Sequence, residues 1–309
     1  MTALSIAGRL RGVAESDIFH SFKRSKVTVV AATALFIMVA GAVFAPLVAP
    51  HNPFDIAALN LLDSELPPAW MEGGNPSYWL GTDTQARDVF SSILYGLRIS
   101  LFVGFASVVL AMVLGVFLGL VGGYVGGFVD SVIMRVADVL LSFPAILVAL
   151  LINGVLRGVL PAAQQDSAAI IVLVLSIGLT NWVQYARTVR GSTLVERQRE
   201  YVQAARTIGV GSLRIMVSHI MPNVLGPVLV IATINLGMAV LTEATLSFLG
   251  VGMPATQPSL GTLIRVGNEY LFSGIWWVVI FPSATLAVLV LAVNLLGDWL
   301  RDALNPKLR

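Results

Sequence analysis

The chain has 309 residues, of which 57% are hydrophobic and only 12% are charged, and it contains no cysteine. Soluble domains carry about 25% charged residues, so this composition excludes an ordinary water-soluble surface. The lack of cysteine excludes disulfides and thiolate metal sites, and the three histidines are far apart in the sequence. The net charge of +2 does not require a nucleic-acid partner, because the basic residues follow a membrane pattern.

Six apolar runs along the chain are long enough to be transmembrane helices. A bilayer core about 30 Å thick requires about 20 apolar residues in a helix, and backbone groups inside a membrane must be paired within the segment. The predicted spans, in chain order, are 27–49, 99–124, 130–156, 168–186, 224–248 and 275–297. The first run, at 23 residues, exceeds the apolar core of a signal peptide, about 7–15 residues, so we expect it to remain as a span.

The basic residues predict how the chain is oriented. In multi-pass proteins, loops rich in Lys and Arg stay in the cytoplasm. Fifteen of the 19 basic residues lie in segment 1–26, at the start of the third span, in segment 187–222 or in the tail 298–309. The remaining four are Arg87, Arg98, Arg157 and Arg265. We therefore expect cytoplasmic termini, an external loop at 50–98 and a five-helix core at 99–297 that includes the cytoplasmic segment 187–222.

Motifs for bond-making chemistry are absent from the sequence. It contains no G-x-x-x-x-G-K-[ST] motif, so this chain is not expected to bind ATP phosphates through a P-loop. It also lacks G-x-S-x-G and H-E-x-x-H motifs. If ATP drives the protein, another chain must hydrolyse it.

The cytoplasmic segment 187–222 predicts two short helices with a turn between them. The first helix carries the small residues Ala204 and Ala205, which permit the close approach of a partner. Gly209 and Gly211 then break the helix, because glycine relieves the steric cost of a sharp turn.

A second short helix is predicted over about 212–219, and Pro222 then suits the first turn of the fifth span. A solvated amphipathic loop remains the alternative interpretation of this segment.

This segment resembles the EAA loop of ABC importer permeases, through Tyr201-Val202-Gln203-Ala204-Ala205-Arg206, Gly209 and Pro222. The distance of thirteen residues from the glycine to the proline also matches, and Gln203 stands where the motif name has Glu. In that family the loop forms a coupling helix that docks in a cleft of the ATPase subunit. The resemblance implies roles in ATPase coupling for Tyr201, Gln203, Ala204, Ala205, Arg206, Gly209, Gly211, His219 and Pro222.

Motifs outside this loop resemble the C-type permease subunit of dipeptide, oligopeptide and nickel importers. Before the second span the chain reads Leu80-Gly81-Thr82-Asp83 and then Arg87-Asp88, with Ala86 where the family usually has Gly. Near its end it reads Asn294-Leu295-Leu296-Gly297-Asp298, Leu300-Arg301-Asp302 and Asn305-Pro306. The resemblance implies an all-α membrane protein with about six transmembrane helices and the type I ABC importer permease fold.

The resemblance also implies a transport complex in the bacterial inner membrane. Its other members would be a B-type permease subunit, two ATPase subunits that bind ATP and Mg, and an extracytoplasmic peptide-binding protein, with membrane lipid around the spans. This chain would be a transport subunit and not an enzyme, with no cofactor of its own and no nucleic-acid partner. It would form half of the translocation pathway and couple it to the ATPases by alternating access.

The expected solute is a dipeptide or another short peptide, and nickel or longer oligopeptides remain alternatives. A stand-alone secondary transporter is another alternative, although such proteins are expected to carry buried ion-coupling carboxylates and inverted repeats.

Glu243 is the only acid in the fifth predicted span. An acid within a span usually faces a cavity or a partner, so one hypothesis places Glu243 in the translocation path, where it would meet the amino group of a peptide. The alternative is an ion pair with Arg98 or an interaction near the helix end.

Two further patterns predict helix packing. Glycines recur every four residues at 115, 119, 123 and 127, a spacing that lets two helices approach closely. The neighbouring helix belongs either to a partner subunit or to this chain. Arg135 and Asp138 are three residues apart on one helical face and predict a local ion pair.

Overall fold

The computed structural model describes residues 22–55 and 59–303. In this part the regular structure is helical, apart from two short 3-10 turns and one isolated bridge. Most of the predicted segment 1–26 and half of the tail 298–309, including Asn305 and Pro306, lie outside the described residues. The helices are α1 (Lys26–Val43), α2 (Ala45–Val48), α3 (Val89–Val125), α4 (Gly127–Leu141), α5 (Ala145–Val159), α6 (Ala162–Gln165), α7 (Ala169–Glu196), α8 (Glu200–Thr207), α9 (Ser212–Phe248), α10 (Leu260–Glu269) and α11 (Trp277–Ala303).

Five helices, α1, α3, α7, α9 and α11, are long and apolar enough to cross a membrane. They coincide with five of the six predicted spans, and four of them, α3, α7, α9 and α11, are longer than predicted, with 37 residues each in α3 and α9. α3 begins at Val89 because the Asp88 side chain accepts a hydrogen bond from the Ser91 backbone N–H at 3.0 Å, which caps the first turn. The helix therefore includes the last ten residues of the predicted external loop.

The third predicted span is not one straight helix. α4 and α5 take its place, and their axes differ in direction by 100° across a short break. Pro144 explains the break, because proline has no backbone N–H and disfavours the helical conformation of the residue before it. The predicted span 130–156 is thus present as a bent pair, and the number of candidate spans is five, or six if that pair is one span.

α4 runs across α7 rather than alongside it. Asp130 binds Arg190 and Asp138 binds Arg187, each with an N–O distance of 2.6 Å. The two acids are eight residues apart on α4, about 12 Å, whereas the two arginines are three residues apart on α7, about 4.5 Å. The predicted local pair between Asp138 and Arg135 is wrong, because α7 supplies the partner of Asp138.

The predicted glycine stripe lies against α7. A Cβ atom added to Gly115 would lie 2.5 Å from the Trp182 carbonyl oxygen, and one added to Gly119 would lie 2.6 Å from the Ala186 carbonyl oxygen. A Cβ atom added to Gly123 would lie 2.7 Å from the Thr193 Cβ. These three glycines therefore pack within the chain, and the fourth, at position 127, has no neighbour within 4 Å and begins α4.

The two ends of the helix bundle are formed by different segments of the chain. At the loop end, defined as residues 50–55, 59–98, 157–168 and 249–277, the Trp277 indole N–H donates to the Thr82 carbonyl at 3.0 Å. At the α8 end, defined as α8 with the adjoining ends of α3, α7 and α9, the Arg197 guanidinium donates to the Gly123 carbonyl at 3.0 Å. α1 and α11 run between these ends in opposite directions, and the rings of Phe22 and Trp299 are 5.2 Å apart. The described starts and ends of the chain therefore lie on the same side of the bundle.

Candidate functional site

The predicted first helix of the coupling loop is present as α8. Glu200 lies in its first turn and Arg206 in its last, where their charges complement the helix dipole. Gly209 ends the helix with a φ of 82°, a left-handed conformation that favours glycine. The Val210 N–H then donates to the Ala205 carbonyl at 3.0 Å, so the turn is closed by a backbone hydrogen bond.

One side of α8 is buried in the chain itself. Val202 is fully buried and Ala205 is 5% exposed, and both pack in a cluster with Tyr185 of α7 and with Ile215 and Ile220 of α9. The small size of Ala205 therefore fits α8 onto the bundle rather than onto another protein. The sequence pattern could have shown this, because positions 202 and 205 are three apart and share a helical face.

The other side of α8 is exposed and carries most of the predicted coupling residues, namely Tyr201, Gln203, Ala204, Arg206, Gly209 and Gly211. Two apolar side chains that the sequence analysis did not select flank the turn. Ile208 is 79% exposed and Leu213 is 72% exposed. The two glycines have open space where a Cβ would be added. The surface available to another protein is therefore a helix face with two apolar side chains beside a glycine turn.

Tyr201 connects α8 to both neighbouring helices. Its hydroxyl donates to the Glu196 carboxylate at 2.6 Å and accepts from the Asn223 side-chain amide at 3.0 Å. Burial raises the pKa of Tyr201, and the hydrogen bond to Glu196 raises it further. The hydroxyl therefore stays protonated at neutral pH, as both hydrogen bonds require.

Two other predicted residues also make contacts within the chain. The Arg206 guanidinium lies 4.9 Å from the centre of the Tyr124 ring, within the range of a cation–π contact. The Gln203 amide donates to the Arg197 carbonyl at 3.2 Å. These contacts hold α8 against the ends of α3 and α7, and part of each side chain remains exposed.

α9 contains a π-helical segment at Ile215–Ile220, which includes His219 and ends two residues before Pro222. Proline lacks an N–H and its ring crowds the carbonyl four residues earlier in an α-helix, so a wider turn accommodates it. The predicted second short helix and the fifth span are therefore one continuous helix. Segments of this kind occur frequently at functional sites.

Glu243 is fully buried, and its carboxylate accepts hydrogen bonds from the hydroxyls of Ser100 and Ser247, each at 2.7 Å. The Ser100 hydroxyl also accepts from the Leu260 N–H, and the Ser247 hydroxyl accepts from the Met253 N–H, each at 3.2 Å. The acid thus joins α3, α9 and the start of α10. It does not pair with Arg98, and its place in a translocation path stays a prediction to which this burial gives no support.

The signature before α3 forms a second buried polar cluster. Asp83 and Arg87 are 2.7 Å apart with about 5% of each side chain exposed, and Arg87 also donates to the Ala255 carbonyl at 3.1 Å. Ala86 has a φ of 59°, which is costly for a residue with a Cβ. Glycine at this position would avoid that cost.

Comparison with known proteins identifies the type of molecule that carries these features. Residues 111–309 match the family model described as binding-protein-dependent transport system inner membrane component, and residues 16–68 match the N-terminal TM domain of oligopeptide transport permease C. The chain also resembles a chain of the MetNI methionine ABC transporter, solved in inward-facing conformations, with a TM-score of 0.51 and 19% identity over 75% of this chain and 99% of that chain. This structural likeness supports the fold alone.

Curated relatives match almost the whole chain. The dipeptide transport system permease protein DppC of Escherichia coli (strain K12) is 43% identical over 95% of this chain and 93% of its own. The di/tripeptide transport system permease protein DppC of Pseudomonas aeruginosa (strain UCBPP-PA14) is 36% identical over 95% and 92%. The oligopeptide transport system permease protein OppC of Bacillus subtilis (strain 168) is 35% identical over 95% and 90%. The chain is therefore a multi-pass inner membrane protein that belongs to the family of binding-protein-dependent transport system inner membrane components.

Proposed function

We propose that this chain is one of two permease subunits of an ATP-driven importer of dipeptides or other short peptides. The second would be a B-type permease subunit, and an extracytoplasmic binding protein would deliver the peptide. Two ATPase subunits would bind ATP and Mg, and this chain would carry no cofactor. The relatives named for dipeptide transport, at 36% and 43% identity over 95% of the chain, support the solute class.

α8 is the observation that carries the coupling part of the proposal. Its inner side packs on α7 and α9 through Val202 and Ala205, and the Tyr201 hydroxyl adds hydrogen bonds to both helices. Its outer side presents Ala204 and the apolar side chain of Ile208. A helix attached in this way transmits a push on its outer side to two spans. We place this surface, and both termini, in the cytoplasm, where the basic residues of 187–222 support the orientation.

The mechanism follows from this attachment. ATP binding would close the ATPase dimer, and α8 would move with it and carry α7 and α9 between two arrangements. A ligand shifts such an equilibrium only by its differential affinity for the two states. The permease then contributes half of the pathway and one docking element, and the bond-breaking step takes place on the ATPase subunits.

Longer peptides are a second candidate class of solute, because OppC of Bacillus subtilis is 35% identical over the same share of the chain. Competition by an unlabelled peptide of five residues against a labelled dipeptide separates the two classes. A dipeptide importer retains its uptake in the presence of the longer peptide, whereas an oligopeptide importer loses it.

The coupling proposal is tested by ATP-dependent uptake of labelled dipeptide into vesicles that contain the full complex. We expect Ala204→Glu to abolish uptake, because it adds bulk and charge to the exposed side of α8 without disturbing the buried side. The matched control is Ala162→Glu, at an exposed position of α6, which should leave uptake unchanged. Membrane levels of both variants are measured by immunoblot.

Unchanged uptake by Ala204→Glu would contradict the coupling site. Uptake that continues without the ATPase subunits would contradict the importer itself. Loss of uptake in Ala204→Glu alone, together with normal membrane levels and loss of ATPase subunits from the purified complex, supports both.

A further inference from the structure

Four arginines lie at the loop end, and three of them have partners in the chain. Arg87 binds Asp83 and the Ala255 carbonyl, and the Arg157 guanidinium donates to the Gly252 carbonyl. Arg265 lies 3.8 Å from Glu269. Arg98 has neither an ion pair nor a hydrogen bond with any part of the chain that the structure describes. A cation beside a long uncharged span is therefore left for a ligand from outside the chain.

Two grooves meet at Arg98. The upper groove, with a volume of about 610 Å³, is lined by Phe54, Tyr95, Ile99, Ile170, Thr256 and Gln257 in addition to Arg98 and Phe102. The lower groove, of about 410 Å³, is lined by Val39, Ala42, Val43, Leu101, Phe105 and Leu236 in addition to the same two residues. Arg98 and Phe102 thus form the boundary between a partly polar groove and an apolar one.

The position of Arg98 coincides with the end of the membrane spans. Its lower groove includes Val43, the last residue of α1, and its upper groove includes Ile170, in the first turn of α7. Arg98 also directly precedes the uncharged run 99–124 of α3. The guanidinium therefore lies at the depth where apolar helices meet water, which is also the depth of lipid headgroups.

We propose that Arg98 and these two grooves bind one anionic glycerophospholipid. The phosphate would accept hydrogen bonds from the Arg98 guanidinium, whose planar set of donors matches phosphate oxygens. One acyl chain would lie in the lower groove between α1 and α3, beside Phe105, which is 61% exposed. Tyr95 and Gln257 of the upper groove would face the polar headgroup.

Charge and apolar surface together select this occupant. A peptide would leave the lower groove uncovered, because that groove is lined almost entirely by apolar side chains. A free phosphate ion would use the guanidinium and none of the groove. A lipid satisfies both features at once, and the site would lie in the membrane whatever solute the protein transports.

The test is native mass spectrometry of the purified complex, titrated in detergent with dioleoylphosphatidylglycerol. We expect Arg98→Gln to weaken lipid binding about tenfold, the effect of losing a charge-assisted hydrogen bond. Arg265→Gln removes the same charge at the same end and should bind lipid as the wild type does. Phe105→Ala should weaken binding by a smaller factor through loss of the acyl contact.

Two further ligands separate the contributions of the phosphate and the acyl chains. Dioleoylglycerol, which has the same chains without the phosphate, should bind the wild type and Arg98→Gln equally. Inorganic phosphate should not displace the phospholipid. Phospholipid binding that is equal in the wild type and Arg98→Gln would overturn the proposal, and so would equal losses in Arg98→Gln and Arg265→Gln. Loss of the partner permease from Arg98→Gln, with unchanged lipid binding, would show a subunit contact instead.

Discussion

The two sequence motifs at opposite ends of the bundle differ in their surroundings. At the loop end, charged residues are buried and paired within the chain, as Asp83 and Arg87 are, and the Trp277 indole bonds the loop backbone. At the α8 end, Ile208 and Leu213 are apolar and largely exposed. The charges of the motif before α3 are thus paired within this chain, whereas the exposed surface around α8 is suited to contact with another protein.

The two motifs differ in whether their side chains stabilise this chain or remain available to a partner protein. Buried charges are costly unless they are paired, so the motif before α3 acts first as a cluster that fixes the loop. Exposed apolar side chains in contiguous patches indicate interaction sites, so we expect Ile208 and Leu213 to serve contact with another protein more than the stability of the chain. Two sequence motifs of the same family therefore have different roles: the motif before α3 stabilises the loop, and the motif around α8 presents a surface for a partner.

The largest effect is expected when the loop end is broken. Asp83→Ala leaves the buried Arg87 without its carboxylate and should lower the free energy of unfolding by about 3–5 kcal/mol. Asp138→Ala is the matched control, because Asp138 and Arg187 form an exposed pair whose loss should cost less than about 1 kcal/mol. Denaturant unfolding of the purified chain in detergent gives both values. Equal losses would contradict a special role of the loop-end cluster.

A smaller loss is expected beneath the α8 end, where α3 and α7 are packed closely. Gly119→Ala would place its Cβ 2.6 Å from the Ala186 carbonyl oxygen, so the helices must separate, at a cost of about 1–3 kcal/mol. Gly154→Ala is the control, because nothing lies within 4 Å of that position. The same unfolding measurement should show no loss for Gly154→Ala, and a similar loss in both variants would argue against tight packing at Gly119.

The smallest effect on stability is expected on the surface of α8. Ile208→Ser and Leu213→Ser should change the free energy of unfolding by no more than about 0.5 kcal/mol, as is usual for exposed positions. Both should nevertheless reduce the amount of ATPase subunit that copurifies with the chain. A clear loss of stability would show that these side chains serve the chain itself and would remove the contrast between the two ends.

Hydropathy predicted most of the fold because it detects long apolar runs, and α1, α3, α7, α9 and α11 are such runs. It did not give the bend of 100° within residues 130–156, because apolar content does not report the direction of a helix. Pro144 was the available signal, since the residue before a proline is driven from the helical conformation. The partner of Asp138 was missed for a related reason: spacing along one helix cannot show that α4 crosses α7.

The candidate site was predicted in part. The glycine turn after α8 follows from backbone sterics at Gly209, and the structure has it there with a positive φ. The inward direction of Ala205 was not predicted, because small size alone does not tell which surface a residue faces. The hydrogen bonds of Glu243 to Ser100 and Ser247 depend on three helices meeting, and no local pattern in the sequence encodes that meeting.

The bend between α4 and α5 has a consequence for the surrounding bilayer. α5 has 15 residues and is therefore about 22 Å long, shorter than a hydrocarbon core of about 30 Å. Its exposed apolar side chains recur every four residues, at Leu147, Leu151, Val155 and Val159. Such hydrophobic mismatch costs a fraction of a kcal/mol per Å and favours association between membrane helices. Beside α5 the membrane must become thinner, or another protein must take the place of the lipid.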